Sequence, residues 1–347
     1  MAGRDTAVVY SLMMDTTSFS LFELLRDYFN EDELRTLCLA IQIDFEDLPA
    51  SLGKQGKVRE LILLCARQNR LDDLVAYGRQ QRPTLIWPDP QFFTNDVLLG
   101  EPPRPPQAFE PECVQIPARA FLLGSSLPGD VATFAGPQHE VTLPAFAIGK
   151  YPVTNGEYAV FLKQAKYPPP RGWLGPTAPP DKERHPVVNV SWYDALAYCD
   201  WLRTQTLRPY RLPTEAEWEK AARGTDGRLY PWGNEWLDGR CHHQGQTTAP
   251  VDAYPAGASP YGCLDMVGNV RQWTSTLWGS DYQKPEYPYP YQLRDGRENL
   301  AAGTAVYRLV RGSAFADEQT RHRCAARAWY APDNKHKHRG FRIALAR

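Results

Sequence analysis

The chain has 347 residues with a formal net charge of −1, so it carries no broad basic field of the kind that nucleic acid or an anionic membrane attracts. It is 43% hydrophobic, enough for full cores, and its length suits two domains, while no run of about 18 uncharged apolar residues marks a membrane span. The 31 prolines and 10 tryptophans point to long ordered loops packed on aromatic rings rather than to extended regular structure.

The N-terminus, MAGRDTAVVYSLMMD, holds a short apolar run that ends at Asp15 with no small-residue cleavage site, so it is not read as a signal peptide. Residues 16–84 have helical grammar. Ser20-Leu-Phe-Glu23 and Asn30-Glu-Asp-Glu33 are capping-box patterns, in which each cap and each acid satisfies an otherwise orphaned amide. Leu21, Leu24, Leu25 and Tyr28 recur at helical spacing, as do Leu34, Leu37, Cys38 and Ile41. A third helix is expected around Val58, Leu61, Ile62 and Cys65, and a fourth around Leu71, Leu74 and Val75. Short helices with one apolar stripe each must pack on one another, which predicts a small all-α bundle over residues 1–85. Its mixed charges, Glu31, Asp32 and Glu33 against Lys54, Lys57 and Arg59, suit a solvated surface. No phosphate loop and no histidine precedes His139, so the bundle has no catalytic equipment.

The run FELLRDYFNEDELRTLCLAIQIDFEDLPASLGKQGKVRELILLCARQNRLDDLVAYGRQQRP resembles the bacterial effector-associated, death-like adaptor domains. The resemblance implies docking onto a protein partner that carries a matching helical domain. The alternative is a helical cap that only stabilises the larger domain.

Residues 86–112 read as a linker: EPPRPPQAFEP lacks apolar periodicity and its prolines favour polyproline II. Phe92, Phe93, Val97 and Leu98 are apolar enough to dock on a neighbour. From residue 113 the grammar changes. Short strand-like runs (AFLLG, HEVTLPAFAIGKYPV, VYRLV, GFRIAL) alternate with long turns. Thr154, Ser191 and Thr214 each open a helix with an acid three residues on, at Glu157, Asp194 and Glu217. The fold class is α+β with much irregular structure. The seven cysteines lie far apart without a CxxC pair, and Cys241-His242-His243 is too crowded for a zinc ligand set, so free thiols in a reducing cytoplasm are expected.

The ordered segments FLLGSS, HEVTLPAFAIGKYPVTNGEYAVF, HPVVNVSWYDALAYCDWL, YRLPTEAEWEKAARGTDGRLYPWGNEW, APVDAYPAGASPYGCLDMVGNVRQW, VRGSAF and GFRIAL resemble the formylglycine-generating-enzyme, or sulfatase-modifying-factor, family. The resemblance implies a C-type-lectin-like fold for residues 113–347. Enzymes of that family use two cysteines just after an RGGSF motif to hold copper and to oxidise a substrate cysteine to formylglycine, a role suited to thiolates. Here the motif reads RGSAF, and Ala316, Asp317, Glu318, Gln319, Thr320, Arg321 and His322 fill the expected positions without a cysteine. Cys324, in HRCAAR, matches a structural element of non-catalytic members. No copper and no oxidase activity are therefore expected, and Asp317 with His322 is too small a set for another metal.

The family also has a calcium-binding turn, DMxGNxWEW. Asp265, Gly268 and Val270 match it, whereas Gln272 replaces its glutamate and Arg271 stands where tryptophan is usual. Oxygen ligands remain but one charge is gone, so the turn either holds calcium with reduced affinity or is held by its own hydrogen bonds.

The last segment, between VYRLV and GFRIAL, contains three loop patches separated by framework residues. The first comprises Ala314, Ala316, Asp317, Glu318, Gln319 and Thr320 with His322; the second Ala328, Trp329 and Tyr330; the third Lys335, His336, Lys337 and His338. Aromatic residues give contact area at small entropic cost, and polar neighbours orient a ligand. Phe315 takes the slot of a buried aromatic, whereas Trp329 and Tyr330 are expected to be exposed. The layout, with DYQKPEYPYPYQLRDGRENLAAGTAVYRLVRG before it and Gly340-Phe341-Arg342 closing it, resembles the variable proteins of diversity-generating retroelements. This implies a non-catalytic protein that binds a protein or other ligand through its last loops. An oxidase acting on protein cysteine and a purely structural module are the competing readings.

Overall fold

The computed structural model describes residues 20–48, 53–68, 70–87, 106–132, 134–206 and 208–346. The readings for residues 1–15 and for Phe92, Phe93, Val97 and Leu98 lie outside these. Two compact units divide between Pro105 and Pro106.

The first unit packs α1 (Leu21–Tyr28), α2 (Glu31–Ala40), α3 (Lys54–Arg67) and α4 (Leu71–Gln81) around one apolar core. Both expected capping boxes form, with the Glu23 and Glu33 carboxylates each accepting the cap residue's own N–H at 2.8 Å. The stripe residues Leu24, Leu37, Ile62 and Leu74 are fully buried, each worth about 1.5–3 kcal/mol. The bundle runs past residue 85. Trp87 sits edge-on to Phe29 with ring centroids 6.0 Å apart and donates Nε1–H to the Arg82 carbonyl at 3.1 Å. It lies so close over Gly78 that a Cβ there would meet its ring at 2.2 Å. The other end of the expected linker is also docked, because the Phe109 ring packs 5.3 Å from Trp201 and Glu110 accepts the Tyr210 hydroxyl. The linker of residues 86–112 therefore narrows at both ends.

The second unit contains β1 (Cys113–Ile116), β2 (Arg119–Leu123), β3 (His139–Leu143), β4 (Phe146–Gly149), α5 (Asn155–Ala165), α6 (Trp192–Thr206), β5 (Tyr210–Arg211), α7 (Glu215–Arg223), β6 (Arg271–Gly279), β7 (Tyr307–Arg311), β8 (Arg327–Tyr330), β9 (Arg339–Phe341) and β10 (Ala344–Ala346). Its sheets run β1-β4-β10-β5, β2-β3 and β8-β7-β6-β9. The last strand of this unit closes on its early strands, with Ala344 opposite Ile148 on antiparallel β10 and β4. Capping boxes start α5 at Thr154 and α7 at Thr214. At α6 the same device uses Asp194, which accepts Ser191 N–H at 2.7 Å while Ser191 Oγ accepts Asp194 N–H at 3.1 Å.

α7 presses two fully buried carboxylates against the last sheet. Glu219 pairs with Arg223 at 2.6 Å and with Arg311, and Glu215 pairs with Arg327 at 2.9 Å. Arg311 and Arg327 are cross-strand neighbours on β7 and β8. Two like charges side by side repel, and here buried acids neutralise them. β9 joins β6 in parallel, placing Arg271 beside Arg339 and Gln272 beside Gly340. Gly340 is needed there because a Cβ would meet the Val187 carbonyl at 2.4 Å.

Candidate functional site

Sheet β8-β7-β6-β9 carries the last loops on its rim. Of the first patch, Ala316, Glu318, Gln319 and Thr320 are exposed. Ala314 and His322 are not: both are 0% exposed, so they support the loop from below and do not meet a ligand. His322 faces the Glu318 carbonyl through Nδ1 at 3.0 Å, and burial pushes its pKa down. Phe315 is buried, as expected.

Asp317 ties this loop to the sheet. Its Oδ2 accepts the Ala314 N–H at 2.7 Å, and its Oδ1 accepts Arg271 Nη2–H at 2.6 Å. Arg271 donates its other terminal nitrogen to the Tyr330 hydroxyl at 3.2 Å. The Arg339 guanidinium lies 3.7 Å from the centroid of the Tyr330 ring. Arg271 N–H also bonds the His338 carbonyl, at 3.0 Å. Patches one and three therefore converge on Arg271, with Tyr330 between Arg271 and Arg339.

The third patch is the most exposed. Lys335, His336 and Lys337 face solvent and His338 is half-buried. Its backbone is pinned, since Pro332 and His336 offer their carbonyls to the Trp192 and Asn189 amides at 2.9 and 3.1 Å. The His336 and His338 rings meet edge-on at 4.6 Å, and His338 packs on Phe315 at 4.8 Å. Lys335 is paired with Asp194 at 2.8 Å. Burial and then the neighbouring cations hold both His336 and His338 below the usual imidazole pKa.

The second patch splits. Alternation along β8 puts Tyr330 over Trp273 and sends Trp329 to the other face. There Trp329 stacks on Trp278, with centroids 3.6 Å apart and planes within 2°, and donates Nε1–H to the Tyr282 carbonyl. Both aromatic residues, and Ala328, are half-buried rather than exposed. Trp329 and Tyr330 thus do not form one contact surface.

Cys324 is 0% exposed, and burial pushes its thiol up to about 12, so it offers no thiolate. Among the described residues no three His, Cys, Asp or Glu side chains are grouped to hold a metal.

The turn at residues 265–272 is filled from within. Gln272 Nε2–H donates to the Asp265 carbonyl at 2.6 Å and to the Val270 carbonyl at 3.4 Å. Gln272 Oε1 accepts from Trp218 Nε1–H and Arg342 Nε–H, which fixes the orientation of the amide. Arg342 Nη2–H reaches the Leu264 and Asp265 carbonyls at 2.7 and 3.3 Å. Gly268 contributes a positive φ of 81° and gives its N–H to Ser313. The Asp265 carboxyl accepts from Asn269, and burial raises its pKa to about 7. A guanidinium and an amide nitrogen stand where calcium would need bare oxygens, so these residues do not fit the ion. Replacement of the family's glutamate by Gln272 was the visible signal. The role of Arg342 was not, because its partners lie about 70 or more residues away in the sequence.

The model of the sulfatase-modifying factor enzyme 1-like domain matches residues 99–347. The chain belongs to that family. Residues 21–83 match effector-associated domain 7. The formylglycine-generating enzyme of Thermomonospora curvata is 33% identical over 304 residues, covering 70% of this chain and 96% of that protein. The inactive C-alpha-formylglycine-generating enzyme 2 of Bos taurus is 32% identical over 286 residues, covering 67% and 87%. Sulfatase-modifying-factor relatives thus include active and inactive proteins at similar distance. PvdO from Pseudomonas aeruginosa superposes with a TM-score of 0.56 at 27% identity, covering 70% of this chain and 96% of that one. Treponema denticola variable protein 1 gives 0.53 at 22% identity, covering 68% and 95%, a likeness of fold.

Proposed function

We propose that this family member is a non-catalytic, cytoplasmic recognition protein. Its C-terminal domain binds a ligand through the loops around Asp317 and Lys337, and its effector-associated domain docks a protein partner. The observation that carries the reading is the segment after Arg311. It has one thiol, fully buried and raised to about 12, where the resemblance calls for a reactive pair. Around it, exposed side chains are mounted on a framework held by buried bonds. Ala316, Glu318, Gln319, Thr320 and Lys337 can change without breaking a framework contact, whereas Arg311, Asp317, Cys324 and Arg327 cannot. Buried free thiols such as Cys38, Cys65, Cys199 and Cys263 suit a reducing compartment.

Two measurements test this. A cysteine-containing peptide incubated with the chain, copper and oxygen should yield no aldehyde; steady conversion would restore the oxidase reading. Deep sequencing of the codons for residues 314–338 across a source population should place any variation at the exposed positions. Variation concentrated on Asp317, Cys324 or Arg327 would sink the framework argument.

A further inference from the structure

His322 is the buried ionisable side chain of the first patch, and it has a partner on one side only. Its Nδ1 lies 3.0 Å from the Glu318 carbonyl, which can only accept, so the neutral ring carries its proton on Nδ1. Nε2 is then a bare lone pair, enclosed without a partner in a side chain that is 0% exposed. Rings surround it. Trp236 and His243 meet His322 edge-on with centroids 5.7 and 5.9 Å away, and Trp236 turns its own Nε1–H to Asp238 at 2.7 Å. His243 Nδ1 is also enclosed without a partner, so no hydrogen bond joins the two imidazoles. A proton arriving at His322 must land on Nε2 and make a buried N–H with nothing to receive it.

The charged groups nearby do not offset that cost. Asp317 on the same loop favours a charged ring, Arg271 on β6 and His243 oppose it, and Asp317 and Arg271 are already joined at 2.6 Å. Asp238 and Glu318 are exposed, so water screens them, as it does Arg321, and Arg323 turns to Asp130 at 3.4 Å. Burial therefore decides, and it holds His322 below the usual imidazole pKa. The ring also sits at a seam. Two backbone bonds join the first patch to residues 229–245, from Cys324 N–H to the Leu229 carbonyl at 2.9 Å and from Gly245 N–H to the Phe315 carbonyl at 3.0 Å, and the contact of His322 with Trp236 and His243 belongs to the same seam.

We infer that His322 is a proton-operated latch on the first loop: the neutral ring holds the loop against residues 229–245, and a proton on Nε2 releases the seam. The latch goes beyond the recognition reading and stands whatever the loop binds. An opened loop returns the imidazole to its ordinary pKa of about 6.5, above its closed value, so the open form binds the proton better. The latch is at full strength above about pH 7 and weakens as pH falls below about 6.5. At about pH 5.5 an ordinary imidazole is protonated about ten to one, so opening is favoured up to about tenfold more than at about pH 7.5.

Hydrogen exchange of the full chain at about pH 7.5 and about pH 5.5, corrected for intrinsic exchange rates, tests the latch. Protection of the Cys324 and Gly245 amides should fall up to about tenfold on acidification, while the Gly149 amide, bonded to the Ile343 carbonyl away from the seam, should hold within about twofold. His322→Phe keeps a ring against Trp236, and His322→Asn keeps a donor for the Glu318 carbonyl. Neither titrates, so in both variants the two seam amides should be equally protected at the two pH values. A fall of less than about twofold at the seam, or an equal fall at Gly149, overturns the latch. So does a tenfold fall that survives in both variants, which would place the proton on another group, such as His338 against Phe315. If neither variant folds, titration of isotope-labelled histidine in the unmodified chain decides. The loss of seam protection should follow an imidazole whose neutral form carries its proton on Nδ1 and which titrates below about pH 6.5; the absence of such an imidazole overturns the latch.

Discussion

Removing the Asp317 carboxylate should loosen the first loop without touching the domain core. In Asp317→Ala, Arg271 loses an ion pair whose side chains are 14% and 10% exposed, and the fully buried Ala314 loses the acceptor for its N–H. A deeply buried pair broken on one side costs about 3–5 kcal/mol. This one lies near the surface, so about 2 kcal/mol is reasonable, with about 1 kcal/mol more for the orphaned amide. A domain of this size loses about 2–4 °C per kcal/mol, so calorimetry should show its transition falling by about 8 °C. Asp317→Asn keeps an acceptor for Ala314 and should lose about half as much. Because Arg271 is the charged partner, the double variant with Arg271→Ala should recover about 1–2 kcal/mol relative to additivity. Gln319→Ala, two residues along and exposed, should stay within about 0.5 kcal/mol. A coupling energy of zero, or a fall for Gln319→Ala equal to that for Asp317→Ala, would refute the division into clamp and presented surface.

Calcium and chelators should leave the melting temperature within about one degree, since an ion at a hundredfold excess over its Kd would add about 2.7 kcal/mol; a rise of several degrees with calcium would show that Gln272 and Arg342 give way. Burial holds the Asp265 carboxyl at about 7, above the value it regains on unfolding. The folded chain thus keeps a proton that the unfolded chain has lost, and this contribution to stability is full below about pH 4 and is lost as pH rises through 7. Asp265→Asn should flatten that part of the stability profile, and an unchanged slope measured by urea denaturation at several pH values would disprove the assignment. Iodoacetamide should leave Cys324 unmodified in the native chain and label it once unfolded, as peptide mass spectrometry can read; rapid native labelling would reopen the case for a reactive thiol.

Local chemistry made the helices legible. Ser20, Asn30, Thr154 and Thr214 each carry their cap and acid within four residues, and the boxes form as written. The bundle core followed from spacing alone. Trp87 did not, because a lone tryptophan before a proline has no period, and only Gly78, nine residues earlier, reveals where it packs. At the site the exposed loops were legible as polar, aperiodic stretches. What the sequence hid was which residues belong beneath them. Ala314 and His322 look like neighbours of Ala316 and Thr320, yet the turn aims them inward. Trp329 and Tyr330, adjacent in the chain, part company because a strand alternates its faces. The buried Glu215–Glu219 pair was invisible for the same reason that it matters, since its arginine partners other than Arg223 on the same helix come from segments about 80 or more residues away.

The departures at positions 271 and 272 are best understood together. They are consecutive on β6, so one side chain points into the domain and the other toward the loops. Gln272, turned inward and fully buried, occupies the turn's carbonyls with its amide and takes Arg342 on its oxygen, so the turn is held without an ion. Arg271, turned outward, holds Asp317 and Tyr330 and sits beside Arg339. A tryptophan at 271 could pack but could neither clamp Asp317 nor add charge to the rim. One dipeptide therefore holds the inside of the turn with hydrogen bonds and places a cation at the rim, where it fixes the first loop. The two consequences can be measured apart: Gln272 variants should act on stability and its metal dependence, and Arg271 variants on the order of the first loop.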